Sequence, residues 1–146
     1  MSDNRVAVSA WESLFRAQVS VMRHLNAEFP TNGLSLNEYD VLFNLSQHTG
    51  WKLRIKELNK HLLLTQPSVS RLIDRLAARA LVTKSSDPSD ARGIIVEMTP
   101  AGFELFRRVA VTHMKSIADR VGAALTDAEL RQLQILTDKL RRAEKQ

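Results

Sequence analysis

The sequence contains no cysteine. That single absence excludes disulfides, thiolate nucleophiles, Cys-ligated zinc or iron–sulfur sites and thiol redox sensors together. No apolar run approaches the roughly eighteen residues a membrane span needs, and the opening MSDNRVAVSAWESLF is too polar for a secretory leader. A cytoplasmic protein with no membrane partner is expected. Internal repeats and low-complexity segments are also lacking. The four histidines, His24, His48, His61 and His113, fall on separate segments with no paired nucleophile and no phosphate-binding glycine loop nearby, so no catalytic residue, no cofactor and no enzymatic activity are expected.

What is present is a chain of 146 residues, 44% hydrophobic and 25% charged, which fits one globular domain over residues 1–146 with a real core. The net charge of +5 is concentrated. Between Trp51 and Met98 nine Lys or Arg face five Asp or Glu, so nearly all the excess lies in the middle third. A localised basic excess favours a polyanionic partner such as nucleic acid, although many basic proteins touch none.

Apolar residues at Trp11, Leu14, Phe15, Met22, Leu25 and Phe29 recur at helical steps and predict a long first helix, broken by Pro30-Thr31-Asn32-Gly33. Ser35-Leu36-Asn37-Glu38 has capping-box spacing and opens a second helix that closes near Thr49-Gly50. A short third helix is expected from about Ile55 to Leu62. The stretch TQPSVSRLIDRL, residues 65–76, predicts a fourth. Thr65 is its plausible N-cap, and Pro67 is tolerated in the first turn. Val69, Leu72, Ile73 and Leu76 share one face at 100° per residue, while Pro67, Arg71 and Asp74 project from the other, flanked by Ser68, Ser70 and Arg75. Leu81–Lys84 and Gly93–Met98 read as two β-strands joined by a protruding, turn-rich tip over Ser85–Arg92. Thr99-Pro100 starts a long fifth helix. Thr126-Asp127-Ala128-Glu129 caps a sixth, with Leu130, Leu133, Leu136 and Leu140 as a narrow apolar seam. The first, fifth and sixth helices carry more apolar stripe than a small lobe covers, which suggests a homodimer.

A short helix followed by a tight connection and a second helix with a polar leading face is the helix-turn-helix layout. Placed in the major groove, Gln66 suits adenine, Arg71 suits guanine and Ser68 or Ser70 suits either base, while Thr65 and the first-turn amides suit phosphate. The same twelve residues also fit an ordinary solvated helix. The hairpin adds a second signal, because Asp90-Ala91-Arg92 at its tip can carry a guanidinium into the adjacent minor groove, with Asp90 holding Arg92. A simple surface ion pair is the plainer alternative for those two residues.

On these residues the sequence resembles the MarR-type (multiple antibiotic resistance regulator) winged-helix transcription factor family. The likeness runs from about Ala10 to Arg141. Its most specific element is the wing signature, Asp90-Ala91-Arg92 followed after five residues by Met98-Thr99-Pro100-Ala101-Gly102; the run Gln66–Leu72 is similar to the family's recognition helix. The resemblance implies a mainly α fold with a small β-hairpin, a winged helix-turn-helix DNA-binding lobe over residues 51–98, and long terminal helices forming a dimerisation lobe from residues 5–30 and 100–146. It implies DNA contacts from Thr65, Gln66, Pro67, Ser68, Ser70, Arg71 and Arg75 on the recognition helix, and from Lys84, Asp90 and Arg92 on the wing. The expected partners are double-stranded DNA, as a pseudo-palindromic operator, and a second copy of the chain. Three positions depart from the family pattern. Ala91 replaces a residue that is often basic, Met98 replaces the commoner Leu, and Ala80 stands where a helix-terminating Gly is usual. That helix end is therefore expected to close without a left-handed residue.

Proteins of this kind respond to small aromatic or phenolic acids, and the resemblance implies a ligand-released repressor. Trp11, Phe15, Tyr39, Phe43 and Trp51, with Arg16 or His24 as carboxylate partners, are candidates for an effector pocket, although plain core or rim packing suits each of them better. His24, Glu28 and His113 permit a metal site to be imagined, but Val109 stands where a further ligand would sit, and no metal is expected. Beside the regulator, an architectural DNA-binding protein and a module that docks an acidic protein partner on its basic face remain alternatives.

Overall fold

Local capping chemistry decides where three helices of this chain begin. The computed structural model describes residues 4–62 and 66–144. In order, the elements are α1 (Asn4–Ala27), α2 (Leu36–Ser46), a 3-10 turn (Thr49–Trp51), β1 (Lys52–Arg54), α3 (Ile55–His61), α4 (Gln66–Ala78), β2 (Val82–Asp87), β3 (Asp90–Met98), α5 (Pro100–Ala124) and α6 (Asp127–Ala143). At the start of α2, Ser35 Oγ accepts the Glu38 amide at 3.1 Å and Glu38 Oε1 accepts the Ser35 amide at 2.9 Å. The reciprocal pair between Thr126 and Glu129 opens α6 in the same way. Among the described residues no helix is long and apolar enough to cross a membrane.

The chain divides into two compact units, which are described separately. Residues 28–111 form one. Its core draws Tyr39, Val41, Leu42 and Leu45 from α2, Leu58 from α3, and Val69, Leu72, Ile73 and Leu76 from α4. Val82, Val96 and Met98 of the sheet and Phe106 and Val109 of α5 join it, with Leu34, Leu62, Leu81 and Ala110 beside them. The four aliphatic residues of α4 are at most 4% exposed, each stabilising by about 1.5–3 kcal/mol. Their burial leaves one direction for the polar side of that helix. The sheet is antiparallel with order β1-β3-β2. In the other unit, α1 and α6 bury few residues, and Trp11, Phe15, Met114, Ile135, Leu136 and Leu140 are each at least 49% exposed.

Several boundaries differ from those the sequence predicts. The first helix ends at Ala27, so Phe29 leaves its stripe and packs on the core of residues 28–111. The second closes at Ser46 and hands over to the 3-10 turn, where Gly50 and Trp51 both take positive φ. The hairpin strands run further than expected, to Asp87 and from Asp90, leaving Pro88-Ser89 between them. Turn-forming residues there are held in strand geometry by cross-strand pairing, Ser85 with Ile95 and Ser86 with Ile94, with a register shift after Ser86. The third strand, β1, went unpredicted.

The end of α4 overturns the expectation for Ala80. Its φ is 59°, squarely left-handed. The Ala80 amide reaches the Ala77 carbonyl at 2.9 Å and the Leu81 amide reaches Leu76 at 3.0 Å, the two bonds of a Schellman motif. The demand for helix termination therefore overrides the residue's own preference. This end is captured by the start of α5. Thr99 Oγ1 donates to the Ala80 carbonyl at 2.7 Å and accepts the Gly102 amide at 3.0 Å, while the Thr99 amide donates to Leu81 at 3.0 Å. A Cβ on Gly102 would lie 2.1 Å from the Leu81 carbonyl oxygen, so only glycine allows the approach. Ala80→Gly is expected to raise unfolding stability by ~0.5–1 kcal/mol, the left-handed penalty less the added chain entropy. Gly102→Ala is expected to lower it by about 1–3 kcal/mol. Urea denaturation of the two variants measures both; equal stabilities would contradict the junction described.

Candidate nucleic-acid interface

Because the inner face of α4 is committed to the core, Arg71, Asp74 and Arg75 are left on its solvent side. Arg71, Asp74 and Arg75 are exposed and Ser68 and Ser70 are half-buried. Thr65 lies outside the described residues, and at Gln66 and Pro67 the described backbone is already helical. Arg71 and Arg75 have no acidic partner among the described residues. Asp74 is taken by Lys84 of β2, with Nζ and Oδ1 2.5 Å apart. Lys84 thus fastens the base of the hairpin to α4 and neutralises the one acid on that face.

The hairpin tip is built by two aspartates. Asp90 Oδ1 accepts the Arg92 amide at 3.0 Å, so it holds Arg92 through the backbone and leaves the guanidinium exposed and without an acidic partner among the described residues. Asp87 Oδ1 accepts both the Ser89 amide at 2.9 Å and the Ser89 hydroxyl at 2.8 Å. Its other oxygen meets Arg54 Nε at 2.6 Å, and the Asp87 side chain is 3% exposed. Ser70 of α4, Asp90, Arg92 and Ile94 of the hairpin, and Arg54, Lys56 and Asn59 border one cleft of about 540 Å³. It therefore joins residues that the sequence assigned to two separate features. Arg54 and Lys56 were visible in the sequence only as members of the basic excess.

The aromatic candidates for an effector pocket fall in both units. Trp11 and Phe15 lie with ring centroids 5.9 Å apart and are exposed, with Arg16 and His24 on the same helix. Tyr39 is buried and stacks with Phe106 at 5.3 Å and Phe43 at 6.4 Å. Burial first, and then the Asp40 carboxylate, push its phenol above the ordinary tyrosine value. Trp51 stacks on Phe103 at 4.5 Å with the rings nearly parallel. Among the described residues no three His, Asp or Glu side chains form a group that could hold a metal ion.

The hydrogen bonds from the Ser89 amide and hydroxyl, aided by the Arg54 guanidinium, hold the Asp87 carboxyl below the usual aspartate range. A folded-state value below the unfolded one means that this contribution to tip stability is complete above the ordinary aspartate value, near 3.9, and is lost as pH falls through the lowered one. The Ser89 amide resonance is expected to titrate with Asp87 below pH ~3.9. A midpoint at or above that value in a pH-dependent NMR series would refute the assignment.

Comparison with known proteins gives a consistent result. Residues 32–93 match the MarR family model. Over 133 residues, 91% of this chain and 84% of the relative, the sequence is 27% identical to the HTH-type transcriptional regulator YkoM of Bacillus subtilis. The fold is similar to that of Sco3205, a MarR family transcriptional regulator from Streptomyces coelicolor solved in complex with DNA. The TM-score is 0.82 at 24% identity, covering 100% of this chain and 91% of that one. It is also similar to Bordetella bronchiseptica BpsR, whose structure concerns regulation of DNA binding by 6-hydroxynicotinic acid. There the TM-score is 0.77 at 26% identity, covering 91% of this chain and 98% of that one.

Proposed function

We infer that this chain, whose residues 32–93 match the MarR family model, is a sequence-specific DNA-binding transcriptional regulator of that family that works as a homodimer and has no catalytic role. The observation that carries this reading is the outward face of α4 and the hairpin tip. Arg71, Arg75 and Arg92 stand exposed there with no acidic partner among the described residues, and the acids beside them, Asp74, Asp87 and Asp90, are each already engaged. Such a surface keeps its guanidinium groups for an external anion. Arg71, with Gln66, Ser68 and Ser70, is assigned to base edges of the major groove; Thr65, Pro67 and Arg75 flank them, and Lys84, Asp90 and Arg92 form the wing that reaches the neighbouring minor groove.

The homodimer is supported by the exposed apolar stripes of α1, α5 and α6, among them Trp11, Phe15, Met114, Leu136 and Leu140. A second copy removes that surface from water and, by two-fold symmetry, sets two recognition helices about 34 Å apart on a pseudo-palindromic duplex. Release by a small aromatic acid is proposed on the likeness to BpsR; Trp11, Phe15, Arg16 and His24 of one unit, and Tyr39, Phe43 and Trp51 of the other, are kept as separate candidate contacts for it. A shift in half-site spacing that removes a few kcal/mol of contacts lowers affinity 100-fold or more. The cytoplasm is the proposed location.

Selection of genomic fragments by the purified chain tests the reading. A few discrete, near-palindromic sites bound by a dimer in sedimentation equilibrium are expected, with hydroxylated aromatic acids weakening the complex. Uniform capture of unrelated fragments, or a monomer at micromolar concentration, would overturn it. On a selected site, Arg71→Ala is expected to relax base preference at a cost of about 1–3 kcal/mol. Arg92→Ala is expected to weaken all duplexes evenly and reduce the salt slope by about one. Equal losses for Arg71→Ala on specific and scrambled duplexes would remove its base-reading role.

A further inference from the structure

The hairpin tip is anchored at two points, and they differ in reach. The Asp90–Arg92 contact is local to β3. The Asp87–Ser89 turn is instead tied to Arg54, at the far edge of the sheet, where β1 pairs with β3 at Arg54 and Ile95. Arg54 Nε binds Asp87 Oδ2 at 2.6 Å and its Nη2 donates to Ser89 Oγ at 2.9 Å. Ser89 Oγ and its amide in turn donate to the other Asp87 oxygen. The result is a closed ring of four contacts around one carboxylate.

Four features make this ring more than a surface pair. Asp87 is nearly inaccessible, so its charge depends on a partner that stays in place. It packs over bare backbone at Gly93, where an added Cβ would come within 3.0 Å of the Asp87 Cβ. The sheet register shifts between Ser86 and Asp87, and such an irregularity re-aims the side chains beside it. Arg54 is the N-cap residue of α3 but makes no side-chain cap bond; its guanidinium is spent on the tip through two of its three nitrogens.

We propose that Arg54 is a positioning residue for the wing: it fixes the Asp87–Ser89 turn and thereby presets Arg92 for DNA, without itself neutralising a phosphate. This rests on the DNA-binding reading given above. Positioning and direct contact differ in how losses combine, since groups acting through one another are not additive whereas independent contacts are.

The experiment is a double-mutant cycle on the full chain, Arg54→Met against Arg92→Ala, with duplex affinity read by fluorescence anisotropy at several salt concentrations. Amide hydrogen exchange at Ser89 and Arg92 is read in parallel without DNA. Arg54→Met alone is expected to weaken binding roughly tenfold, about the weight of one wing contact, and less than about twofold once Arg92 is Ala. Arg54→Lys keeps the charge but not the fork, and is expected to behave as Arg54→Met does. Ser89 should exchange faster in both variants. Asp87→Asn, which preserves shape, should reproduce the pattern and stands in if Arg54→Met does not fold. Multiplying losses with a further unit drop in salt slope, full affinity in Arg54→Lys, or unchanged exchange at Ser89 would each overturn the proposal. If wild type selects no duplex, the DNA-binding reading itself falls, and Ser89 exchange alone decides whether Arg54 fixes the tip.

Discussion

The capture of the end of α4 by Thr99 is the constraint on which the rest of residues 28–111 depends. One hydroxyl closes α4 at the Ala80 carbonyl and opens α5 at the Gly102 amide. The same junction brings Val82 opposite Met98, so the two hairpin strands start in register from it. Gly102 then lets α5 approach the Leu81 carbonyl more closely than any side chain would permit. A threonine followed three residues later by glycine is thus a requirement of backbone geometry, imposed at the place where α4, the hairpin and α5 meet.

Charge is organised with the same economy. On the outward face of α4 and at the hairpin tip each acid is occupied by a group of the chain itself. Asp74 holds Lys84, Asp87 holds the tip turn and Arg54, and Asp90 holds the Arg92 backbone. None of them pairs with the guanidinium of Arg71, Arg75 or Arg92. The acids shape the surface and the cations are left to act.

The helix starts and the fold class were legible because each rests on chemistry within a few residues. Ser35 with Glu38, Thr126 with Glu129, and Thr99 before Pro100 mark boundaries that local hydrogen bonds then enforce. The aliphatic spacing of Val69, Leu72, Ile73 and Leu76 gave α4 its direction for the same reason. What escaped prediction depends on partners far along the chain. β1 has three residues and exists only because β3 lies beside it. The residues around the tip carry turn propensities that cross-strand pairing overrides. Ala80 lacks the glycine that usually marks a left-handed terminus, yet tertiary contacts place it there. Arg54 lies in a separate strand from Asp87, and nothing in its neighbourhood announces that the two meet.

The Lys84–Asp74 bridge has a further mechanical meaning. Together with the Thr99 junction it clamps α4 and the hairpin to each other at two well-separated places. Helix and hairpin are thereby machined into a single tool head. A substitution at either contact therefore bears on helix and hairpin together.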